Sequence, residues 1–158
     1  MIRKGLNVPD IGFCLALLFS GGAIGKLVCG FVADKFGVLR TVMVLELLTS
    51  VIIFFIIGVE LPVIIILLPV LGVALNGTSS VLYGTVGDFV SSTRQARAFG
   101  IFYTLGIGSG AVAPVLYGIL IDSFDLNVAL SIIALSILIT LPLSFVLQPS
   151  YAAAAKKN

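Results

Sequence analysis

The chain has 158 residues, of which 59% are hydrophobic and 10% charged, with a formal net charge of +2 and no histidine. An ordinary soluble domain carries about a quarter charged residues, and one of this length lacks the interior to hide so much apolar side chain. The composition therefore excludes a globular water-soluble fold and makes lipid the solvent. It also argues against an enzyme, because no metal-ligand cluster, nucleophile–base pair or P-loop appears along the chain. No cofactor and no metal are expected.

Taken in chain order, residues 1–10 (MIRKGLNVPD) form a short polar segment. Five apolar stretches follow, over residues 11–33, 41–58, 61–86, 98–121 and 127–147. A spanning helix needs about 20 mostly apolar residues. These runs are long and do not alternate, so helices are expected rather than barrel strands. The fold class expected is all-α, an integral membrane protein with five transmembrane helices. Lys26 interrupts the first stretch and Glu46 the second, whereas the other three carry no charge. Cys14 and Cys29 read as small buried side chains. The first run is too long for a cleaved signal peptide, and four more spans follow it.

Five spans place the chain ends on opposite sides of the membrane. One side would hold loop 34–40, loop 87–97 and tail 148–158, with Lys35, Arg40, Arg94, Arg97, Lys156 and Lys157. The other would hold residues 1–10, the turn near Glu60 and the turn 122–126, with Arg3 and Lys4. Basic residues favour the cytoplasmic side, so a cell (inner) membrane protein with a cytoplasmic C-terminus is expected. Arg3 and Lys4 immediately before the first span oppose that orientation. The conflict is resolved if residues 1–10 are an external loop of a longer parent.

The stretch GFVADKFGVLR places Gly30, Asp34, Lys35, Gly37 and Arg40 between two spans. Gly37 can take the positive φ that turns a chain sharply at a helix end. Gly30 permits close helix approach. Asp34 can accept hydrogen bonds from a facing helix N-terminus and pair with a basic residue. This pattern resembles the signature loop of the major facilitator superfamily, G-x-x-x-D-[RK]-x-G-[RK]-[RK]. It departs from that loop at Val38 and Leu39, where the family has basic residues. The resemblance implies a cytoplasmic latch that holds the outward-facing state. A similar acidic-then-basic loop follows two helices later, with Asp88, Arg94 and Arg97, so Asp34 is expected to pair with Arg94 or Arg97, and Asp88 with Lys35 or Arg40. In the fourth span Gly106, Gly110, Pro114 and Gly118 recur every four residues, a spacing that builds a ridge for helix packing, and Pro114 can kink the helix.

The superfamily fold has two six-helix halves, and the signature loop follows the second helix of a half. In this chain it follows the first span. The resemblance therefore implies a partial six-helix bundle resembling helices eight to twelve, with helices two to six as the alternative. It implies transport by alternating access as part of a secondary transporter, in partnership with a missing N-terminal half. The alternative is a truncated, non-transporting or accessory structural membrane protein. Lys26 lies about 12 Å along the helix from Asp34 and would bind an anionic substrate, a small organic anion, or tune a proton site. Otherwise it pairs with Glu46 or snorkels to the surface. Glu46 reads as a structural partner of Lys26 or of the basic loop, or as a proton-coupling group. Asn76, Ser80 and Tyr83 recur at i, i+4 and i+7, a polar face that should turn toward a cavity or a neighbouring helix.

Overall fold

The computed structural model describes residues 7–155, and all of its regular structure among them is helical. Helix α1 is Val8–Phe36, α2 is Val38–Gly58 and α3 is Leu61–Thr85. Two 3-10 turns, Val86–Phe89 and Ser92–Arg94, lead into α4, Gln95–Ser123. The chain ends with α5, Leu126–Leu138, and α6, Thr140–Ala155. Among the described residues, five helical stretches are long and apolar enough to cross a membrane: Pro9–Phe36, Val38–Gly58, Leu61–Thr85, Ser92–Ser123 and Leu126–Pro149. Residues 1–6 and 156–158, with Arg3, Lys4, Lys156 and Lys157, lie outside the described residues.

Helix boundaries differ from the sequence expectation for identifiable reasons. The first helix begins at Val8 rather than after residue 10, because Asn7 and Asp10 form a capping box and Pro9 occupies the first turn. The expected loop 34–40 contracts to a single residue. Gly37 ends α1 and starts α2 with φ +93° and ψ +140°, a conformation that side chains other than hydrogen resist. Its N–H donates to the Ala33 carbonyl at 2.8 Å, and its own carbonyl accepts from Thr41 N–H at 3.1 Å. The last crossing is broken near Ile139. Pro142 has no N–H to offer the Leu138 carbonyl and its ring crowds that carbonyl, so the ladder gives way to a tighter turn, with Ile139 N–H on Ser136 O at 3.2 Å.

The core is the seam between α1 and α3, and it is made largely of main chain. A Cβ added at Gly21 would strike Pro69 backbone atoms, one at Gly25 would strike Val73, and one at Gly72 would strike Leu18. Gly22 faces Asn76, and Gly77 faces Cys29. Gly21, Gly25, Cys29 and Ala33 are all buried and recur every fourth residue. This is the small-residue pattern that lets helix backbones touch in lipid, where dispersion contacts replace the hydrophobic effect. Helix α2 closes over this seam with Val42 and Leu45 against Cys29, Ala33, Ala74 and Val81. Farther along α2, Ser50 Oγ donates to the Ala134 carbonyl of α5 at 2.9 Å and ties the last crossing to the bundle. Both cysteines are buried free thiols.

Helix α4 contains no buried residue. Its ridge of Gly106, Gly110, Pro114 and Gly118, expected to pack against another helix, meets little of this chain: Gly106 alone faces Tyr83, and nothing lies within 4 Å of a Cβ placed at Gly110 or Gly118. Helix α4 also runs through Pro114 without interruption of its helical assignment.

Candidate functional site

The helices run alternately up and down, so two sets of sequence-flagged residues collect at one end of the bundle. Asp34 and Lys35 lie in the last turn of α1, and Arg40 lies in the first turn of α2. Asp88 is in the first 3-10 turn, Arg94 in the second, and Arg97 in the first turn of α4. Gly30, one helical turn above Asp34, has nothing within 4 Å of a Cβ placed on it. Asp34, Lys35, Arg40, Arg94 and Arg97 are all exposed. Lys35 Nζ sits 5.6 Å from the centre of the Phe36 ring. Among the described residues, Asp34 makes no ion pair with Arg94 or Arg97.

The transmembrane candidates divide into two groups. Lys26 from α1 and Ser80 and Tyr83 from α3 meet in one cavity of about 250 Å³, together with Ser79 of α3 and Tyr103 of α4. Ser80 Oγ donates to the Lys26 carbonyl at 2.9 Å, which fixes the height of α1 against α3 at this level. Ser79 Oγ donates to the Asn76 carbonyl at 2.8 Å. Tyr83 packs edge-on against Phe102, with ring centres 5.1 Å apart at 84°, and lies 5.7 Å from the Tyr103 ring. Lys26 is exposed to this cavity. It lies ten residues before the end of α1, about 15 Å along the helix. An ammonium at such a depth costs on the order of 2.5–3.5 kcal/mol on insertion scales.

Asn76 and Glu46 stand apart from that group. Asn76 lies against Gly22, and its Nδ2 donates to the Gly72 carbonyl of its own helix at 3.3 Å. It therefore helps to pack the seam. Glu46, half-buried on α2, lies beside the Thr78 side chain of α3, whose hydroxyl donates to the Ala74 carbonyl at 3.3 Å. Among the described residues no ion pair joins Glu46 to Lys26. The structural pairing of those two charges, one of the alternatives read from the sequence, is replaced by a carboxyl–hydroxyl contact between α2 and α3.

Ser79 and Tyr103 are the site residues that the sequence reading missed. Ser79 adjoins Ser80, but a strict i, i+4, i+7 stripe passes it over. Tyr103 comes from a different helix, α4, and reaches the cavity where that helix meets Tyr83, a contact without a sequence signal. A larger cavity, about 460 Å³, lies at the other end of the bundle. It is walled by Ile53, Ile57, Leu68, Leu71 and Leu130, with Asp125 and Asn127 at its lip. Its aliphatic wall suits an apolar filler, so the Lys26 cavity is the better candidate for a polar solute.

In chemical terms, the Lys26 cavity offers one cation carrying three N–H donors and two phenolic O–H groups, surrounded by apolar helix. Such an arrangement favours an anion with few heavy atoms.

A family model described as Major Facilitator Superfamily matches residues 2–158. Among curated proteins the chain is similar to an uncharacterized protein of Mycobacterium bovis, at 32% identity over 141 residues, which covers 85% of this chain and 34% of the relative. It is similar to the same extent to uncharacterized proteins from two strains of Mycobacterium tuberculosis, with 32% identity and the same coverage. The chain thus spans about a third of the length of the curated relatives it matches. No solved structure matches.

Proposed function

This chain belongs to the Major Facilitator Superfamily, and from that premise we propose that it forms part of a secondary transporter that moves a small organic anion by alternating access. The observation that carries the reading is Lys26, a cation deep in α1, facing a small cavity shared with Ser79, Ser80, Tyr83 and Tyr103. A lone lysine at this depth needs a counter-charge, and a substrate anion supplies one. The superfamily is one of transporters rather than enzymes, in keeping with a site built for binding. The remaining part of the transporter would face α4, whose glycine ridge this chain leaves open. The experiment is uptake into proteoliposomes by a transporter assembled from this chain and its proposed counterpart, comparing small carboxylates with neutral solutes of equal size. Saturable uptake of the carboxylates is expected. Uptake of neutral solutes alone would overturn the assignment of an anion.

The orientation belongs to the same reading. The end carrying Asp34, Lys35, Arg40, Arg94 and Arg97 faces the cytoplasm, and the C-terminus lies on that side. Asp34 serves there as a latch that acts against basic residues in one state of the transport cycle. Asp34→Asn keeps the shape and removes the charge. It is expected to lower transport roughly tenfold or more, the size of losing one hydrogen bond to a charged group, while surface labelling shows normal insertion. Unchanged transport by that variant would sink the latch.

A further inference from the structure

Resting on the anion reading of the same cavity, the geometry points to a substrate that is a compact hydroxycarboxylate: a carboxylate for Lys26 and a neutral O–H donor for the oxygens of Ser79 and Ser80. A serine hydroxyl has one proton and two lone pairs. Both protons here are already committed, that of Ser79 to the Asn76 carbonyl and that of Ser80 to the Lys26 carbonyl. Carbonyl oxygens can only accept, so the direction of each bond is fixed. Toward the cavity both serines therefore act as acceptors. A simple carboxylate would meet the Lys26 ammonium and the phenols but would leave these oxygens with no donor. A ligand that carries its own O–H satisfies both ends.

The nature of the donor follows from the neighbour. Ser80 is bonded to the Lys26 backbone, so a group reaching the serine oxygens lies close to the lysine. A second positive charge there would be repelled across a medium of low dielectric. A hydroxyl suits the place and an ammonium does not. Size is bounded as well. The cavity holds about 250 Å³, which at about 30 Å³ for a water-sized group is room for on the order of eight such groups. A three-carbon hydroxy acid fits within that volume.

The test measures binding, not transport, on the purified chain in lipid nanodiscs, using ligand-observed NMR titration. The probes are 2-hydroxypropanoate, 2-methoxypropanoate, propanoate and 2-aminopropanoate. The hydroxy acid is expected to bind roughly tenfold more tightly than the other three, since each of those leaves an acceptor unmatched or adds a cation. Ser79→Ala is expected to shrink the roughly tenfold preference for the hydroxy acid over propanoate, read as the ratio of the two affinities. Ser80→Ala should do the same, and far-UV circular dichroism checks that both variants remain helical. Equal binding of propanoate and 2-hydroxypropanoate, both lost in Lys26→Ala, would overturn this inference and leave the anion site standing. Failure of every carboxylate to bind the parent chain would remove the anion site and this inference together.

Discussion

Replacing Lys26 with alanine in a transporter assembled from this chain and its proposed counterpart is expected to lower carboxylate uptake about a hundredfold or more. The reasoning starts from depth. Lys26 is carried about 15 Å into α1, away from bulk water, where removing one partner of a desolvated charge pair costs about 3–5 kcal/mol, and each 1.4 kcal/mol is about tenfold in affinity. The loss should appear in affinity and in rate together, because an unmatched anion neither enters readily nor triggers the change of state. Lys26→Arg keeps the charge but changes a compact ammonium into a planar fork, and partial recovery is expected. The readout is initial uptake against substrate concentration for the parent and both variants. Parent-like uptake by Lys26→Ala would show that the cavity is not on the substrate path.

The second large effect is the difference between the chain alone and the chain with its counterpart. Alternating access needs two bundles that rock around a site between them. The five crossings described here supply a tight α1–α2–α3 core and a fourth crossing, α4, none of whose residues is buried. A long apolar helix with one side open to a glycine ridge is expected to depend on further helices for its position. Purified chain in proteoliposomes is therefore expected to show no saturable uptake above empty liposomes, and co-reconstitution with a matching N-terminal half is expected to restore it. Saturable uptake by the chain alone, abolished by Lys26→Ala, would make it a minimal transporter and would overturn the two-part reading.

The membrane character of the fold was plain in the sequence, because apolar runs of this length have few alternatives. Position within the bundle was less legible. Spacing marks Gly106, Gly110 and Gly118 as a packing ridge, yet Gly21, Gly25, Cys29 and Ala33 share the same fourfold spacing, and that second ridge is the one buried against α3. Periodicity identifies a face that can be covered and says nothing of which neighbour covers it. Lys26, Ser80 and Tyr83 were legible by charge and by helical phase, and the structure brings them together. Asn76 shares their phase but is spent on packing at Gly22. Glu46 lies at a depth comparable to that of Lys26, but it contacts α3 at Thr78, because rotation about a helix axis is set by packing rather than by distance along it. Tyr103 required knowing that α4 leans across the end of α3, a long-range contact with no local signature.

The main-chain seam between α1 and α3 also bears on how the site can move. Side chains can slide past one another by changing rotamer, but touching backbones cannot, and a shift of one helix along the other would have to clear a whole turn of about 5.4 Å. Lys26 rides on α1, and Ser79, Ser80 and Tyr83 ride on α3, so these four travel as a single stiff beam. Tyr103 is carried by α4, which no such seam clamps. Of the residues around the cavity, Tyr103 is thus the one whose backbone a shift of α4 would displace, while the backbones carrying Lys26, Ser79 and Ser80 keep their spacing.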